Sequence, residues 1–432
     1  MKRITKFILL ISSITILPSC SVFIENIFVE KNEYQLKEIK STKYCPKESK
    51  HGAHRFYSSS EKVNRLFSDF LENNKNLNLY FSEKMVLWGL IQVNAQPFLS
   101  SPASRLQAIV YYGGKFKFWD FKKPEKSSYS YIKALDDILH DYPSKRSLKS
   151  LAGLLDKKFQ STITVSKELA VLLSKKRNLL LKNPILKKTY FRDNELLRVN
   201  EPLFKVSFSQ LIAKYQKKST PWIKKNHTHQ VLFPIELENI DDNFDLAECN
   251  FDPGLYKNKV FILDKEQIFV TSFGMVDHKQ NSFLAISGQN LASVEEIDNF
   301  KMIRGRWPKR LGSWCILQNQ KPKLSVVLTS FNSRDSGQLL MGPLEKIERL
   351  KLDQSKISTL IEAGREIFFL SPPRIYIESR ILKNQHIEKN LKSQLPVYHA
   401  DKIGNIHSLL RSEDKKMSLI IDSRFNGNLL CK

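Results

Sequence analysis

The stretch VFILDKEQIFVTSFG, Val260–Gly274, sets the fold predicted for the C-terminal half of this chain. Its apolar runs, residues 259–264 and 268–272, are separated by three polar residues, which favours two short strands joined by a turn. In such a hairpin, with Asp264 opposite Ile268, Lys259 and Val260 lie level with Ser272 and Phe273. A cation and a hydroxyl then meet at one end of the hairpin, where they could hold a phosphate.

The same residues resemble the phospholipase D superfamily, whose signature is His-x-Lys-x4-Asp followed by Gly-Ser and then Asn. Lys259 and Asp264 have the spacing of the family's Lys and Asp, and Ser272 falls on its Ser. The strand IFVTSF, residues 268–273, looks like the corresponding strand of bacterial cardiolipin synthase-like members, and the likeness spans residues 255–300. The resemblance implies a phosphodiester-binding site on an α/β domain.

Three departures from the signature imply that the chemistry is lost. Lys257 stands in place of the nucleophilic histidine, Thr271 in place of the glycine and Gly274 in place of the asparagine. A lysine is protonated near neutral pH and therefore attacks phosphorus poorly. Phosphate affinity could survive this loss, and the candidate phosphate-binding residues are Lys257, Lys259, Asp264 and Ser272. The other interpretation is an unrelated α/β hairpin with the same spacing.

The family needs a second motif facing the first, and the sequence contains no complete copy. Residues 329–332 and 423–426 resemble its Ser-x-Asn end, but neither follows a His-x-Lys at the right distance. A histidine that reaches Ser272 in the folded chain would favour an enzyme, and the candidates are His278 and His399.

The fold class predicted from hydrophobic periodicity is α/β, and α+β over the whole chain. A helix-rich N-terminal domain, residues 56–235, precedes a mixed-sheet α/β C-terminal domain, residues 236–432, which resembles phospholipase D; an acidic run after Pro234 marks the boundary. The predicted helices are 58–74, 129–141, 147–159, 165–182, 206–217, 290–300, 344–351 and 354–363. The predicted strands are 77–81, 108–112, 259–264, 268–273, 324–331, 366–370, 374–378, 396–399 and 418–422.

The helix predicted at 165–182 carries aliphatic residues on one side and Lys and Arg on the other. Such a stripe could lie on an anionic membrane, or it could pack against a core. The sequence leaves both interpretations open.

The N-terminus resembles the signal of a bacterial lipoprotein. Three basic residues precede the apolar run Phe7–Leu17, which is too short to span a bilayer, and Leu17–Cys20 has the form of a lipobox. The resemblance implies that residues 1–19 are removed, that Cys20 is lipidated, and that residues 20–55 form a tether. Ser21 favours the outer membrane in that family. The alternative is an uncleaved N-terminal anchor helix.

Cysteine content agrees with export to an oxidising compartment. Without Cys20 an even number remains, Cys45, Cys249, Cys315 and Cys431, so two disulfides can form in three pairings. The pairing we expect is Cys249 with Cys315 inside one domain and Cys45 with Cys431 joining the ends.

The formal net charge is +25, and removal of Lys2, Arg3 and Lys6 leaves +22. Such a surface attracts anionic phospholipid or lipopolysaccharide, although it could also be an ordinary solvated surface; nucleic acid is not the expected partner. Neither GxGxxG nor GxxxxGK[ST] occurs, so no nucleotide cofactor is expected, and no metal site is predicted.

These features together predict a lipid-anchored cell-envelope lipoprotein with a basic surface and a binding or scaffolding role, without catalysis. The alternative is a membrane-tethered phospholipase D-like phosphodiesterase or phosphatidyltransferase, similar to cardiolipin synthase.

Overall fold

The computed structural model describes residues 43–44, 55–58, 61–121, 129–158, 164–165, 167–203, 207–218, 246–250, 268–297, 300–306, 311–319, 324–331, 333, 336–347, 354–370, 373–378, 396–400, 402–412, 414–424 and 428–431. These residues form ten α-helices, one 3-10 helix (Lys75–Leu77) and eighteen β-strands. None of these helices is both long enough and apolar enough to cross a bilayer.

Up to residue 218 short strands alternate with helices. In chain order the elements are β1 (Lys43–Tyr44), β2 (Arg55–Ser58), α1 (Glu61–Asn73), α2 (Phe81–Ala95), β3 (Arg105–Tyr112), β4 (Lys115–Asp120), α3 (Ser130–Asp141), α4 (Leu148–Lys158), α5 (Lys167–Lys175), α6 (Arg177–Leu181), α7 (Pro184–Tyr190), β5 (Phe191–Arg192), β6 (Glu195–Leu196) and α8 (Phe208–Lys218).

From residue 246 onward strands predominate. They and the two remaining helices are β7 (Leu246–Asn250), β8 (Ile268–Val276), β9 (Ser282–Ile297), β10 (Phe300–Arg306), β11 (Gly312–Asn319), β12 (Leu324–Phe331), α9 (Ser336–Ile347), α10 (Gln354–Glu362), β13 (Glu366–Leu370), β14 (Pro373–Glu378), β15 (Val397–Ala400), β16 (Asn405–Arg411), β17 (Met417–Ile421) and β18 (Asn428–Cys431).

Two large antiparallel sheets form the centre of the fold. The seven-stranded sheet has the order β18-β2-β8-β9-β3-β4, with β10 also paired to β9. The six-stranded sheet has the order β1-β17-β16-β12-β11-β7. A smaller sheet, β13-β14-β15, and the hairpin β5-β6 complete the pairing among the described strands.

The two large sheets pack face to face between two layers of helices. Side chains that include Tyr57, Val276, Trp314 and Leu409 fill the space between the sheets. Helices α1–α4 and α8 cover the outer face of the seven-stranded sheet, and α9 and α10 cover that of the six-stranded sheet. Because both faces are covered, a central strand such as β12 is buried along its whole length.

The predicted α+β class is confirmed, and eight of the ten described helices precede residue 220. Strands from both predicted domains belong to one sheet, however. Strand β2, which begins one residue before the predicted N-terminal domain, pairs with β8, and β3 pairs with β9. Strands β8 and β9 both belong to residues 236–432. The two parts of the chain therefore share the seven-stranded sheet.

Two predicted elements differ in type from the structure. A strand was predicted at 77–81, but helix α2 begins at Phe81 and is buried on all sides from Phe81 to Val93, so its sequence has no amphipathic period. A helix was predicted at 290–300, but β9 extends to Ile297 because β10 pairs with this part of it, from Asn290 to Ile297.

The predicted returning strand of the opening hairpin is confirmed as β8. This strand extends further, to Val276, and turns through residues 277–281 into β9. The other predicted strand, residues 259–264, lies outside the described residues.

Candidate functional site

Ser272 lies on β8, inside the seven-stranded sheet between β2 and β9. Successive side chains of a strand point to opposite faces. In β8 Phe273 and Met275 pack toward the helices, whereas Val276 packs toward the six-stranded sheet. Ser272 is on the same face as Val276 and is fully buried. The alternation therefore places its hydroxyl between the two sheets.

Three polar side chains meet in this space. Ser272 Oγ lies 3.0 Å from Tyr57 OH on β2 and 3.0 Å from His407 Nε2 on β16. The Tyr57 hydroxyl is also 3.0 Å from His407 Nε2. Because Tyr57 and Ser272 belong to the seven-stranded sheet and His407 to the six-stranded sheet, these contacts join the two sheets.

Aromatic rings enclose the imidazole of His407. The ring of Phe331 lies edge-on at 4.9 Å between centroids, and that of Tyr57 edge-on at 5.1 Å. All of these side chains, and Ser272, are 0% exposed. The hydroxyls and the imidazole are therefore out of contact with solvent.

A hydrogen bond at the second ring nitrogen fixes the position of the imidazole proton. The backbone N–H of Asp422 donates to His407 Nδ1 at 3.2 Å, so the proton of the neutral ring is on Nε2. A serine hydrolase has the opposite arrangement, in which Nδ1–H donates to a carboxylate and Nε2 is free to accept the serine proton. In this tautomer His407 Nε2 donates toward Ser272 and Tyr57 and does not accept their protons.

Burial keeps this network uncharged at neutral pH. It lowers the pKa of His407 to about 4, outweighing the Asp422 carboxylate and the Ile406 carbonyl, which favour the charged ring. Burial also raises the pKa of Tyr57 well above its ordinary value. The imidazole and the phenol are therefore both neutral.

Through Asp422, the hydrogen-bond network around His407 connects to a cluster of four buried charged side chains. Arg424 Nε and Nη2 donate to the two carboxylate oxygens of Glu378 at 2.7 and 2.6 Å, and Arg365 Nη2 donates to Asp422 at 2.6 Å. Burial alone would raise the pKa of Asp422, but Arg365 and Arg424 hold it below its ordinary value. The four side chains are at most 5% exposed, so their opposite charges balance one another inside the protein.

The two arginines also close the C-terminal end of α10. Arg424 donates to the carbonyls of Ile361 and Ala363 at 2.9 and 2.8 Å, and Arg365 donates to that of Ile361 at 2.9 Å. Carbonyls at this end of a helix lack intrahelical partners and carry the negative end of its dipole. The cluster therefore fastens α10 to the strands that carry Glu378 and His407.

The structure places only part of the predicted site. Ser272 is described, and its hydroxyl is already in hydrogen bonds within the protein. Lys257, Lys259 and Asp264 lie outside the described residues, and so does Cys20. Their predicted roles in phosphate binding and lipidation stay predictions.

The histidine that reaches Ser272 is His407, which the sequence did not single out. His278 lies in the turn after β8, and His399 lies on β15 in the three-stranded sheet. The missed signal is the strand NIHSLLR, β16, in which Leu409 lies two residues after His407 and packs between the sheets. A strand prediction there would have placed His407 on the same inner face.

The disulfide between Cys249 and Cys315 is present, as expected from the sequence. The two cysteines are directly opposite each other on the paired strands β7 and β11. Cys431 is also disulfide-bonded, and its expected partner, Cys45, lies outside the described residues.

The fold is similar to those of solved structures along nearly the whole chain. A singly substituted LmbA2991 matches with a TM-score of 0.60 and 9% identity, covering 90% of this chain and 99% of that one. LmbA2991HD matches with a TM-score of 0.58 and 10% identity, covering 90% of this chain and 99% of that one. The cephalosporin acylase from Bacillus halodurans matches with a TM-score of 0.57 and 8% identity, covering 92% of this chain and 98% of that one. At these identities the likeness shows the fold alone. No family model and no curated protein matches the sequence.

His407 is expected to make the protein less stable in acid. Its pKa is about 4 in the folded chain and 6.5 as the ordinary value. Between these two pH values, His407 is therefore protonated in the unfolded chain and neutral in the folded chain. The neutral, buried His407 therefore contributes its full stabilisation above pH 6.5, and this stabilisation is lost as the pH falls toward 4. The free energy of unfolding, measured with urea, should fall by about 2 kcal/mol through this group between about pH 7 and pH 5.

Two variants isolate the effect of His407. His407→Gln should be less stable at neutral pH but should lose this part of the pH dependence. His140→Gln, which changes a side chain that is 72% exposed, should keep it. An unchanged pH dependence in His407→Gln would show that another group carries the effect.

Proposed function

We propose that this protein is a lipid-anchored cell-envelope lipoprotein that binds or scaffolds through its basic surface, without catalysis. The order of charge, apolar run and lipobox up to Cys20 supports the anchor. The net charge of +25 supports an anionic partner, such as phospholipid or lipopolysaccharide. Ser21, directly after the lipidated residue, supports the outer membrane as its location.

The proton on His407 Nε2 carries the non-catalytic part of this proposal. A base would need Nε2 unprotonated, which would move the proton to Nδ1 and break the hydrogen bond from the Asp422 backbone. A buried amide left without an acceptor costs about 1–3 kcal/mol. The network around Ser272 instead supports a scaffold, since it links the two sheets through neutral groups.

A second candidate is a membrane-tethered phospholipase D-like phosphodiesterase or phosphatidyltransferase. It is favoured by a histidine nitrogen 3.0 Å from Ser272 Oγ and by the family spacing of Lys259 and Asp264. Because a hydroxyl beside an imidazole is also the chemistry of acyl transfer, and because one structure of similar fold is a cephalosporin acylase, an amide substrate belongs in the same test.

Turnover assays decide between the two candidates. The mature chain without its lipidated cysteine, residues 21–432, would be incubated with phosphatidylglycerol, a chromogenic phosphodiester and a chromogenic amide. We expect rates equal to those without protein, and no change in Lys259→Ala or Ser272→Ala. Turnover that is lost in either variant but kept in Lys75→Ala, an exposed lysine elsewhere, would establish an enzyme.

A further inference from the structure

Exposed apolar surface is concentrated in one part of the described chain. The large hydrophobic side chains that are exposed there are Val171, Leu181, Ile185 and Val199, each 36–38% exposed. They lie on α5, at the end of α6, on α7 and shortly after β6. A single exposed aliphatic residue is ordinary, but this set falls within residues 171–199.

Firm packing holds the helices that carry these side chains. Helices α5–α7 surround a cluster of their own, which includes Leu180 and Leu186 and rests on Leu291 of β9. Leu180 and Leu186 are fully buried, although each is next in sequence to an exposed residue, Leu181 or Ile185. The exposed side chains therefore belong to the outer faces of packed helices.

Basic residues accompany the exposed aliphatic side chains. Residues 167–190 contain seven lysines and arginines and a single acidic residue. Among the basic side chains, Arg177, Lys182, Lys187 and Lys188 are exposed. Positive charge and apolar surface thus occur together on α5–α7.

We propose that α5–α7 form a second membrane contact, in which these aliphatic side chains enter the headgroup region of an anionic leaflet. The lysines and arginines would lie at the lipid phosphates. Helices that combine aliphatic and basic residues bind membrane interfaces in this way. The inference rests on the proposed function, because the anchor at Cys20 would hold α5–α7 close to a leaflet. The exposed set contains no aromatic ring for base stacking, which favours lipid over nucleic acid.

Vesicle binding by the unanchored protein tests this contact. Residues 21–432, which include every described residue, would be sedimented with vesicles of phosphatidylglycerol and phosphatidylethanolamine, and with vesicles of phosphatidylcholine. We expect binding to the anionic vesicles that weakens with added salt. The variant Lys182→Glu/Lys187→Glu/Lys188→Glu should bind on the order of a hundredfold more weakly. Val171→Ser/Leu181→Ser/Ile185→Ser should lose on the order of tenfold.

A matched control makes the same change in net charge, three lysines to glutamates, on other elements of the protein. Lys75→Glu/Lys149→Glu/Lys346→Glu alters three exposed lysines on other elements and should keep most of the binding. Equal losses in the control and in the α6–α7 charge variant would overturn the proposed contact, as would equal binding to phosphatidylcholine. Binding of a short DNA duplex without any vesicle binding would also overturn it. None of these results affects acylation of Cys20, so the anchor and the contact can fail separately.

Discussion

Replacing Arg424 with methionine is expected to lower the free energy of unfolding by about 3–5 kcal/mol. The guanidinium is 0% exposed and makes two hydrogen bonds to Glu378, which is also 0% exposed. Removing it leaves the Glu378 carboxylate without its bidentate partner in the interior. It also removes the Arg424 donor from the Ala363 carbonyl and leaves the Ile361 carbonyl with Arg365 alone. Urea unfolding followed by circular dichroism at neutral pH would measure the loss.

Two further variants test the cause of this loss. Adding Glu378→Gln to Arg424→Met should recover part of the stability, because an amide is less costly to bury than an unpaired carboxylate. Arg198→Met removes an ion pair with Glu195 in which both side chains are more than two-thirds exposed, and it should leave the free energy of unfolding almost unchanged. If Arg424→Met were as mild as Arg198→Met, the buried cluster would not be a major source of stability.

The sequence predicted the elements whose local pattern is strong. The strands 324–331 and 366–370 match β12 and β13, whose residues form apolar or β-rich runs, and α10 matches the helix predicted at 354–363. The prediction was wrong for α2, where burial on all sides removes the amphipathic pattern of a helix. It was also wrong for β9, where pairing with a neighbouring strand overrides the local preference for a helix. The face-to-face packing of the sheets could not be predicted, because register between sheets is a tertiary property.

Of the two side chains at the centre of the site, the sequence predicted Ser272 but not His407, because only Ser272 lies in a local, motif-like pattern. Ser272 stood out because its own strand carries a motif-like pattern, whereas His407 lies 135 residues away on a strand that was not predicted. The segments 329–332 and 423–426 resemble the end of a phospholipase D motif. In the structure they supply Phe331 beside His407 and Arg424 in the charged cluster. The contact between His407 and Ser272 depends on the folded sheets, because the pattern of β16 indicates only that His407 lies on an inner face.

Acylation of Cys20 is the central claim about where this protein works, and mass spectrometry of the N-terminal peptide tests it most directly. Wild-type protein from cells grown with labelled palmitate should carry the label and begin at an acylated Cys20. Cys20→Ala should take up no label and keep residues 1–19. Unlabelled wild-type protein that still begins at Met1 would contradict the lipid anchor and support an uncleaved anchor helix instead.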